Sequence, residues 1–378
     1  MKQILYILTV LFLAGCGNKG PGNSQMYGVK PDSSMHIMYA EGFSVDYYQN
    51  FKRVTLSDPW KPGAVFARYY LVEDSIVQTP DDGIRIQVPL KTLASASCTQ
   101  YAFLEMLGVI HTVKGVCNAK QAYDPYIRQA FEDSGIMDLG DPFQMDVERC
   151  LLLKPQAVMV TGYNQLDAHV TRLSEAGIPI IFNNEWMESN LLGRAEWIRF
   201  VACFYDKETL ADNLYREVVN HYLRLKTLAA KAVTHKPKVL SGDNFRGTWY
   251  LPGGRSFTAQ LFADAGAEYI YKNDTTTGSK PFSFEQVLRD LNDADVWVGA
   301  TNGTTLSGLL QVDERYRLFK PFREAKVYSY LNRVTSDGGN DYWESAVAHP
   351  DWLLADFIKL FHPEVLPDHS WFYLRKMH

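Results

Sequence analysis

The chain has 378 residues, of which 46% are apolar and 21% are charged, a balance typical of a folded globular protein. Its 38 Lys and Arg residues and 43 Asp and Glu residues give a formal net charge of −5. This charge argues against general electrostatic binding to nucleic acid or anionic lipid. The length is sufficient for two domains, each with its own core.

The N-terminus has the form of an export signal. A short positive start precedes the apolar run 4–13, which is too short to span a membrane as a helix. The segment Leu13-Ala-Gly-Cys16 resembles the bacterial lipobox, which implies cleavage before Cys16 and lipidation of that cysteine. We predict a signal peptide over 1–15, a flexible tether over 16–35, and an exported protein held at a bacterial membrane by its lipid alone and facing the periplasm.

Four further cysteines follow the lipobox, and their even number does not by itself indicate disulfides. Cys150 and Cys203 lie in apolar helical patterns, where a buried thiol is predicted. Cys98 and Cys117 each follow a predicted strand. They could form a disulfide with each other or remain two free thiols, and the sequence leaves both alternatives open. The sequence has no CxxC or Cys/His spacing typical of zinc, and no metal site is predicted.

After the tether, the sequence continues with a β-rich leader and then a strand–helix alternation. Apolar and polar residues alternate within 36–83, between Pro and Asp turns, and this pattern is typical of short strands. A first α/β lobe is predicted over 84–206. Its strands and helices are expected at 84–88, 99–107, 113–117, 157–160, 165–176 and 178–182. Such alternation predicts a parallel sheet covered by helices.

A long amphipathic helix is predicted over 207–235, with an apolar stripe that starts at Leu210 and Leu214. About 26 helical residues span roughly 39 Å, enough to connect two lobes. The alternation then resumes over 236–378. Its strands and helices are expected at 238–240, 256–265, 284–291, 296–298, 326–329 and 350–361. The predicted fold class is therefore α/β, with two Rossmann-like lobes joined by one long helix.

This layout resembles the class III substrate-binding proteins of ABC importers over residues 84–362. That family includes binders of vitamin B12, ferric siderophores and haem. The run Asp146–Val158 is similar to the family's passage from an acidic helix start to a strand. Gly254–Ile270 and Asp341–Glu344 resemble segments of the vitamin B12-binding member, whereas Leu192–Trp197 resembles iron-chelate binders. The β-rich leader departs from the family pattern.

The resemblance implies a monomeric solute-binding lipoprotein that delivers a ferric siderophore or cobalamin to an inner-membrane ABC permease and its ATPase. It implies no cofactor apart from the lipid, since the metal chelate is the cargo. It also implies that Glu148 and Glu285, one in each lobe, dock onto arginines of the permease. Both residues begin predicted helices, where an acidic side chain favours the helix dipole without any partner.

The candidate ligand-binding residues follow the predicted strands, because ligands of open α/β sheets bind at the carboxyl ends of the strands. Aromatic faces with amide and hydroxyl groups suit a large polar chelate, and Arg333 suits a carboxylate. For Trp249 and Trp343, packing in the core is the alternative. The candidates are Ser97, Asn118, Tyr163, Trp249, Tyr250, Asn332, Arg333, Asp341, Tyr342 and Trp343.

Two other functions remain open. A haem receptor of the same family could use His111 and Tyr163 as axial ligands, although the histidines show no paired spacing of the kind that holds a bare metal. An exported hydrolase is the alternative from a different class. Because the sequence has no GxSxG elbow, Walker loop or dinucleotide fingerprint, a binding protein is predicted rather than an enzyme.

Overall fold

The computed structural model describes residues 30–232, 235–301 and 303–378. The predicted signal peptide and Cys16 lie outside the described residues. Within the described part of the chain, no helix is both long and apolar enough to cross a membrane. The strands form four sheets, and a long helix joins two α/β lobes.

The first sheet is built by the leader and has the strand order β1-β2-β3-β4-β5. We call it the leader sheet. Its strands are β1 (Ser33–Ser34), β2 (Phe43–Tyr48), β3 (Phe51–Ser57), β4 (Val65–Val72) and β5 (Ile84–Gln87). The expectation that the first α/β lobe starts at Ile84 is wrong, because Ile84 pairs in parallel with Tyr69 of β4. Alternation along a strand shows that it has a buried face, but not which sheet it joins.

The first α/β lobe contains five parallel strands in the order β10-β9-β6-β7-β8. Its strands are β6 (Leu93–Ser95), β7 (Val113–Val116), β8 (Met137–Asp138), β9 (Ala157–Val160) and β10 (Ile180–Phe182). Its helices are α1 (Tyr101–Met106), α2 (Pro125–Glu132), α3 (Val147–Leu153), α4 (Ala168–Glu175) and α5 (Leu191–Cys203). The central strands are almost entirely apolar because both faces of the sheet are covered.

The long helix is α6 (Glu208–Ala232). It packs on α5 of the first lobe and on α12 (Pro350–Phe361) of the second. Its buried stripe begins at Ala211 and Tyr215, while Leu210 is exposed. The predicted stripe was therefore displaced by one residue at its start.

The second lobe contains a sheet in the order β11-β15-β16-β17, in which only β17 is antiparallel. Its strands are β11 (Val239–Ser241), β15 (Val296–Val298), β16 (Val327–Ser329) and β17 (Arg375–Lys376). A small antiparallel sheet, which the sequence did not predict, contains β12 (Asn244–Phe245), β13 (Thr248–Pro252) and β14 (Ser279–Phe282). The other helices are α7 (Phe257–Asp264), α8 (Phe284–Leu291), α9 (Leu306–Val312), α10 (Lys320–Arg323) and α11 (Asp341–Ser345).

Buried carboxylates of the first lobe hold the segment that enters the leader sheet. Glu196 of α5 has no exposed surface, and its carboxylate accepts hydrogen bonds from the backbone N–H groups of residues 38–40. Arg199 pairs with Glu196 at 2.7 Å. Glu188 accepts hydrogen bonds from the N–H groups of residues 41–42. These contacts fix the leader sheet to the first lobe, because two buried carboxylates accept the N–H groups of five consecutive residues.

Candidate ligand-binding cleft

A pocket of about 240 Å³ lies at the carboxyl ends of β6, β7 and β9. We call it the cleft pocket. Three predicted residues, Ser97, Asn118 and Tyr163, line it together. Asn118 directly follows Cys117 at the end of β7 and has a left-handed backbone with φ of 52°, a conformation that asparagine tolerates better than most residues. Their convergence follows from the parallel order of the strands, which places all three loops at one edge.

Aromatic rings continue from the cleft pocket along the first lobe. The Tyr163 ring lies 5.9 Å from the Phe143 ring and 5.8 Å from the Trp186 ring, centroid to centroid. Phe143 is 63% exposed. Neither Phe143 nor Trp186 was among the predicted residues. Trp186 follows β10 directly, and the carboxyl end of a parallel strand is the signal that could have indicated it.

Helix α11 of the second lobe faces the same region. Trp343 is 56% exposed, and its carbonyl oxygen accepts a weak hydrogen bond from the Cys98 thiol at 3.9 Å. Because Cys98 lines the cleft pocket, Trp343 lies beside it. The neighbouring Tyr342 is half-buried and stacks on Tyr330 at 4.0 Å. Among the predicted aromatic residues of the second lobe, Trp343 therefore has an exposed side chain beside the cleft pocket.

Cys98 and Cys117 both line the cleft pocket and both are free thiols. Burial raises the pKa of each thiol to about 12. Both are consequently protonated at neutral pH, which makes them poor nucleophiles and slow to oxidise. Of the two alternatives left open by the sequence, the structure has the pair of thiols.

Arg333 and Asp341 lie elsewhere, in a pocket of about 510 Å³ where the two lobes meet. We call it the seam pocket. Their side chains form an ion pair of 2.6 Å between Arg333 Nε and Asp341 Oδ2, and Asp341 is buried. Neither residue lines the cleft pocket, so the structure does not bring them together with Ser97, and their role in ligand binding stays a prediction.

Glu344 of α11 connects the lobes in the seam pocket. Its carboxyl oxygens accept hydrogen bonds from the backbone N–H groups of Tyr123 and Asp124 in the first lobe. Burial, with smaller contributions from the charges of Asp124 and Asp341, raises the pKa of Glu344 to about 8, although the two N–H donors oppose the rise. The two lobes are thus connected by a buried carboxyl whose pKa lies close to neutral pH.

Three other predicted residues do not line the cleft pocket. Trp249 is completely buried, and its indole N–H donates to the carbonyl oxygen of Ser241. It is a core residue, so its prediction as a ligand contact is wrong. The Asn332 amide donates to the carbonyl oxygens of Trp371 and Phe372 and so holds the C-terminal segment. Tyr250 is 49% exposed on β13, and its side chain faces away from the buried Trp249.

Glu148 and Glu285 are both exposed in the first turns of their helices, α3 and α8. Each forms a surface ion pair of 3.1 Å, with Arg172 and Arg315 respectively. Exposed pairs of this kind contribute little to stability. Both glutamates therefore lie at the surface in weakly stabilising ion pairs, and their docking role stays a prediction.

The predicted pair of haem ligands does not meet in the structure. His111 lies before the first residue of β7, whereas Tyr163 lies at the carboxyl edge of the sheet. His169 lines the cleft pocket with Tyr163 instead, and burial lowers its pKa. Among residues 30–232, 235–301 and 303–378, no group of three or more His, Cys, Asp or Glu side chains is arranged to hold a metal ion.

The sequence pattern of the periplasmic binding protein family matches residues 96–333, which include most of the first lobe, the connecting helix and the first part of the second lobe. The chain belongs to this family. Its members are solute-binding proteins that work with ABC permeases, so the hydrolase alternative has no support. This periplasmic binding protein is of class III, as its two α/β lobes and long helix require.

The chain is also similar to two lipoproteins and to solved structures of the same fold. Two lipoproteins of Methanocaldococcus jannaschii are 25% and 23% identical over 96% and 97% of this chain and 92% and 95% of their own. A periplasmic haem-binding protein from Pseudomonas aeruginosa has a TM-score of 0.59 and 15% identity, over 76% of this chain and 98% of its own. A vitamin B12-binding protein from Vibrio cholerae has a TM-score of 0.52 and 12% identity, over 72% and 96%.

Proposed function

We propose that this periplasmic binding protein captures a metal chelate, a ferric siderophore or cobalamin, and delivers it to an ABC permease. The aromatic cleft carries the proposal: Phe143, Tyr163 and Trp186 form a continuous band on the first lobe, and Trp343 stands beside it on the second. Flat faces of this kind favour large unsaturated or aromatic ligands. Among the described residues that line the cleft pocket, Asp167 is the only carboxylate, which suits a bulky ligand better than a bare cation.

Haem is the second candidate, and one observation favours it. Tyr163 and His169 line the same pocket, and tyrosine and histidine are both established iron ligands of haem. Cobalamin and siderophores arrive with their metal already coordinated, so they need only the aromatic and polar contacts. A change in the haem absorption spectrum between the wild type and Tyr163→Phe would distinguish direct iron ligation from stacking.

The proposal includes a lipid anchor at Cys16 and an exported location. The lipobox-like segment before Cys16 supports it, as do the two Methanocaldococcus jannaschii relatives, which are named lipoproteins. The described fold needs no further membrane contact in this scheme. Docking on the permease is assigned to Glu148 and Glu285, one exposed glutamate in each lobe.

Uptake by a strain that lacks the gene tests the proposal. The wild-type chain should restore uptake of one of three labelled chelates: cobalamin, haem or a ferric tricatecholate. The double variant Glu148→Arg, Glu285→Arg should reduce that uptake at least about tenfold, since reversing both charges replaces attraction by repulsion at the permease. Its affinity for the chelate, measured on the purified chain, should stay unchanged.

The matched control reverses two exposed glutamates away from the predicted docking positions, Glu217→Arg on α6 and Glu364→Arg after α12. This control should transport normally. Normal uptake by the double variant at positions 148 and 285 would contradict the docking assignment. If the wild type restores uptake of none of the three chelates, the proposed cargo is contradicted.

A further inference from the structure

The leader sheet reaches the carboxyl edge of the first lobe. Phe66 of β4 packs so closely against Gly162, after the end of β9, that a Cβ at position 162 would lie 3.0 Å from the Phe66 ring. The Phe66 ring also contacts the ring of Phe182, the last residue of β10, at 5.0 Å between centroids. The backbone N–H of Phe182 donates to the Tyr69 hydroxyl of β4 at 2.9 Å. The sheet thus abuts the carboxyl edge of the first lobe, where the cleft pocket lies.

Trp60, in the loop between β3 and β4, extends the aromatic band of the cleft. Its ring lies 5.5 Å from the Phe66 ring and 6.4 Å from the Trp186 ring. Trp186 in turn contacts Tyr163, which lines the cleft pocket. The rings of Tyr163, Trp186 and Trp60 therefore form one connected surface that begins in the first lobe and ends in the leader sheet.

A polar donor lies at the same corner. The Asn184 side chain is buried, and its Oδ1 accepts a hydrogen bond of 2.8 Å from the N–H of Gly162. Its Nδ2 has no acceptor among the described residues. A buried amide donor without a partner costs free energy, and a carbonyl or carboxylate group on a ligand would satisfy it.

The leader sheet is an addition to the matched family pattern. The family match begins at residue 96, after the last strand of the sheet. The Pseudomonas aeruginosa structure is covered over 98% of its own length but corresponds to only 76% of this chain. The first Methanocaldococcus jannaschii lipoprotein aligns over 96% of this chain, an extent that includes most of the leader sheet.

We propose that Trp60 of the leader sheet forms, with Trp186, a second subsite of the cleft that binds a flat unsaturated group bearing a carbonyl or carboxylate. The inference rests on the proposed function, because the subsite would bind the outer part of the same chelate. It assigns the leader sheet a role in choosing the ligand. A sheet bound only for stability would not need to carry an aromatic side chain to this edge.

Titration of the full-length chain in detergent with cyanocobalamin, haemin and a ferric tricatecholate tests the subsite. For the probe that the wild type binds, Trp60→Ala should raise Kd about tenfold, which corresponds to the loss of one good aromatic contact. Trp60→Phe keeps a smaller ring and should raise Kd less. In Trp60→Phe, the fraction of tryptophan fluorescence that the probe quenches should also fall, because one quenched indole is gone.

The matched control is Tyr48→Ala, which removes a half-buried ring from the same sheet. Tyr48 stacks on Phe51 at 4.6 Å, at the start of β3, whereas Trp60 follows the end of β3. This variant should bind like the wild type. Equal affinities of wild type and Trp60→Ala would overturn the subsite and leave the proposed function standing. An equal loss in Tyr48→Ala would also overturn it, since the sheet would then act through stability. If the wild type binds none of the probes, the proposed function itself fails.

Discussion

Replacing Glu196 by alanine is expected to lower the free energy of unfolding by about 3–5 kcal/mol, the usual cost of removing one partner from a buried ion pair. The carboxylate is completely buried and accepts three backbone N–H groups, from Met38, Tyr39 and Ala40. Without it, those donors lose their acceptor and Arg199 loses its nearest counter-charge. The substitution should also release the start of the leader sheet.

Urea unfolding measures the loss of stability, and hydrogen exchange of residues 36–42 measures the release. Glu148→Ala is the matched control, because Glu148 is also a helical glutamate paired with an arginine but its side chain is 79% exposed. Because solvent screens such a pair, it contributes almost nothing to the free energy of unfolding. The control should therefore have the same urea midpoint as the wild type. Equal midpoints for the Glu196 and Glu148 variants would refute the anchoring role of Glu196.

Raising the pH from about 6 to about 9 is expected to destabilise the contact between the lobes through Glu344. Burial raises the pKa of this carboxyl from its usual 4.5 to about 8. A group with a raised folded-state pKa contributes its stability fully below the unfolded value and loses it as the pH rises through the folded value. Since one pKa unit corresponds to about 1.4 kcal/mol, the loss amounts to a few kcal/mol.

Thermal unfolding as a function of pH checks this expectation. Glu344→Gln cannot ionise, so its unfolding temperature should fall less between about pH 6 and pH 9 than that of the wild type. It should be less stable than the wild type at the lower pH, because one oxygen that accepts an N–H hydrogen bond becomes an NH₂ group. Parallel pH profiles for the two proteins would show that Glu344 is not the titrating group.

The sequence predicted buried strands and well-patterned helices most accurately. The bounds of β9, β15, α8 and α12 agree with the structure, because a continuous apolar run or a clear helical stripe depends only on neighbouring residues. The assignment of 84–88 failed for the opposite reason. Whether that strand pairs with β4 or with a strand of the first lobe depends on residues far along the chain.

The candidate site was predicted in part for the same reasons. Ser97, Asn118 and Tyr163 could be found because parallel strands place their carboxyl ends at one edge. Trp249 could not be distinguished from Trp343 by sequence, since burial of an aromatic residue depends on what packs over it. Trp60 was missed because only the folded leader sheet brings it to Trp186.

The burial of Glu188 and Glu196 could not be predicted from the sequence either. Glu188 and Glu196 belong to a charged-looking stretch, and a helical glutamate is usually exposed. Nearly every residue of α5 is buried because the leader sheet, α6 and the first lobe surround it. The acceptors of the N–H groups of residues 38–42 lie about 150 positions away, a separation that periodicity does not reveal.

Isothermal titration of the full-length chain in detergent with cyanocobalamin, haemin and a panel of ferric siderophores is the decisive test of chelate capture. We expect one-to-one, sub-micromolar binding of one of these chelates, with an affinity that falls when Trp343 is replaced by alanine. Absence of binding across the whole panel by a chain shown to be folded would contradict it, and so would tight binding that Trp343→Ala and Tyr163→Ala both leave unchanged.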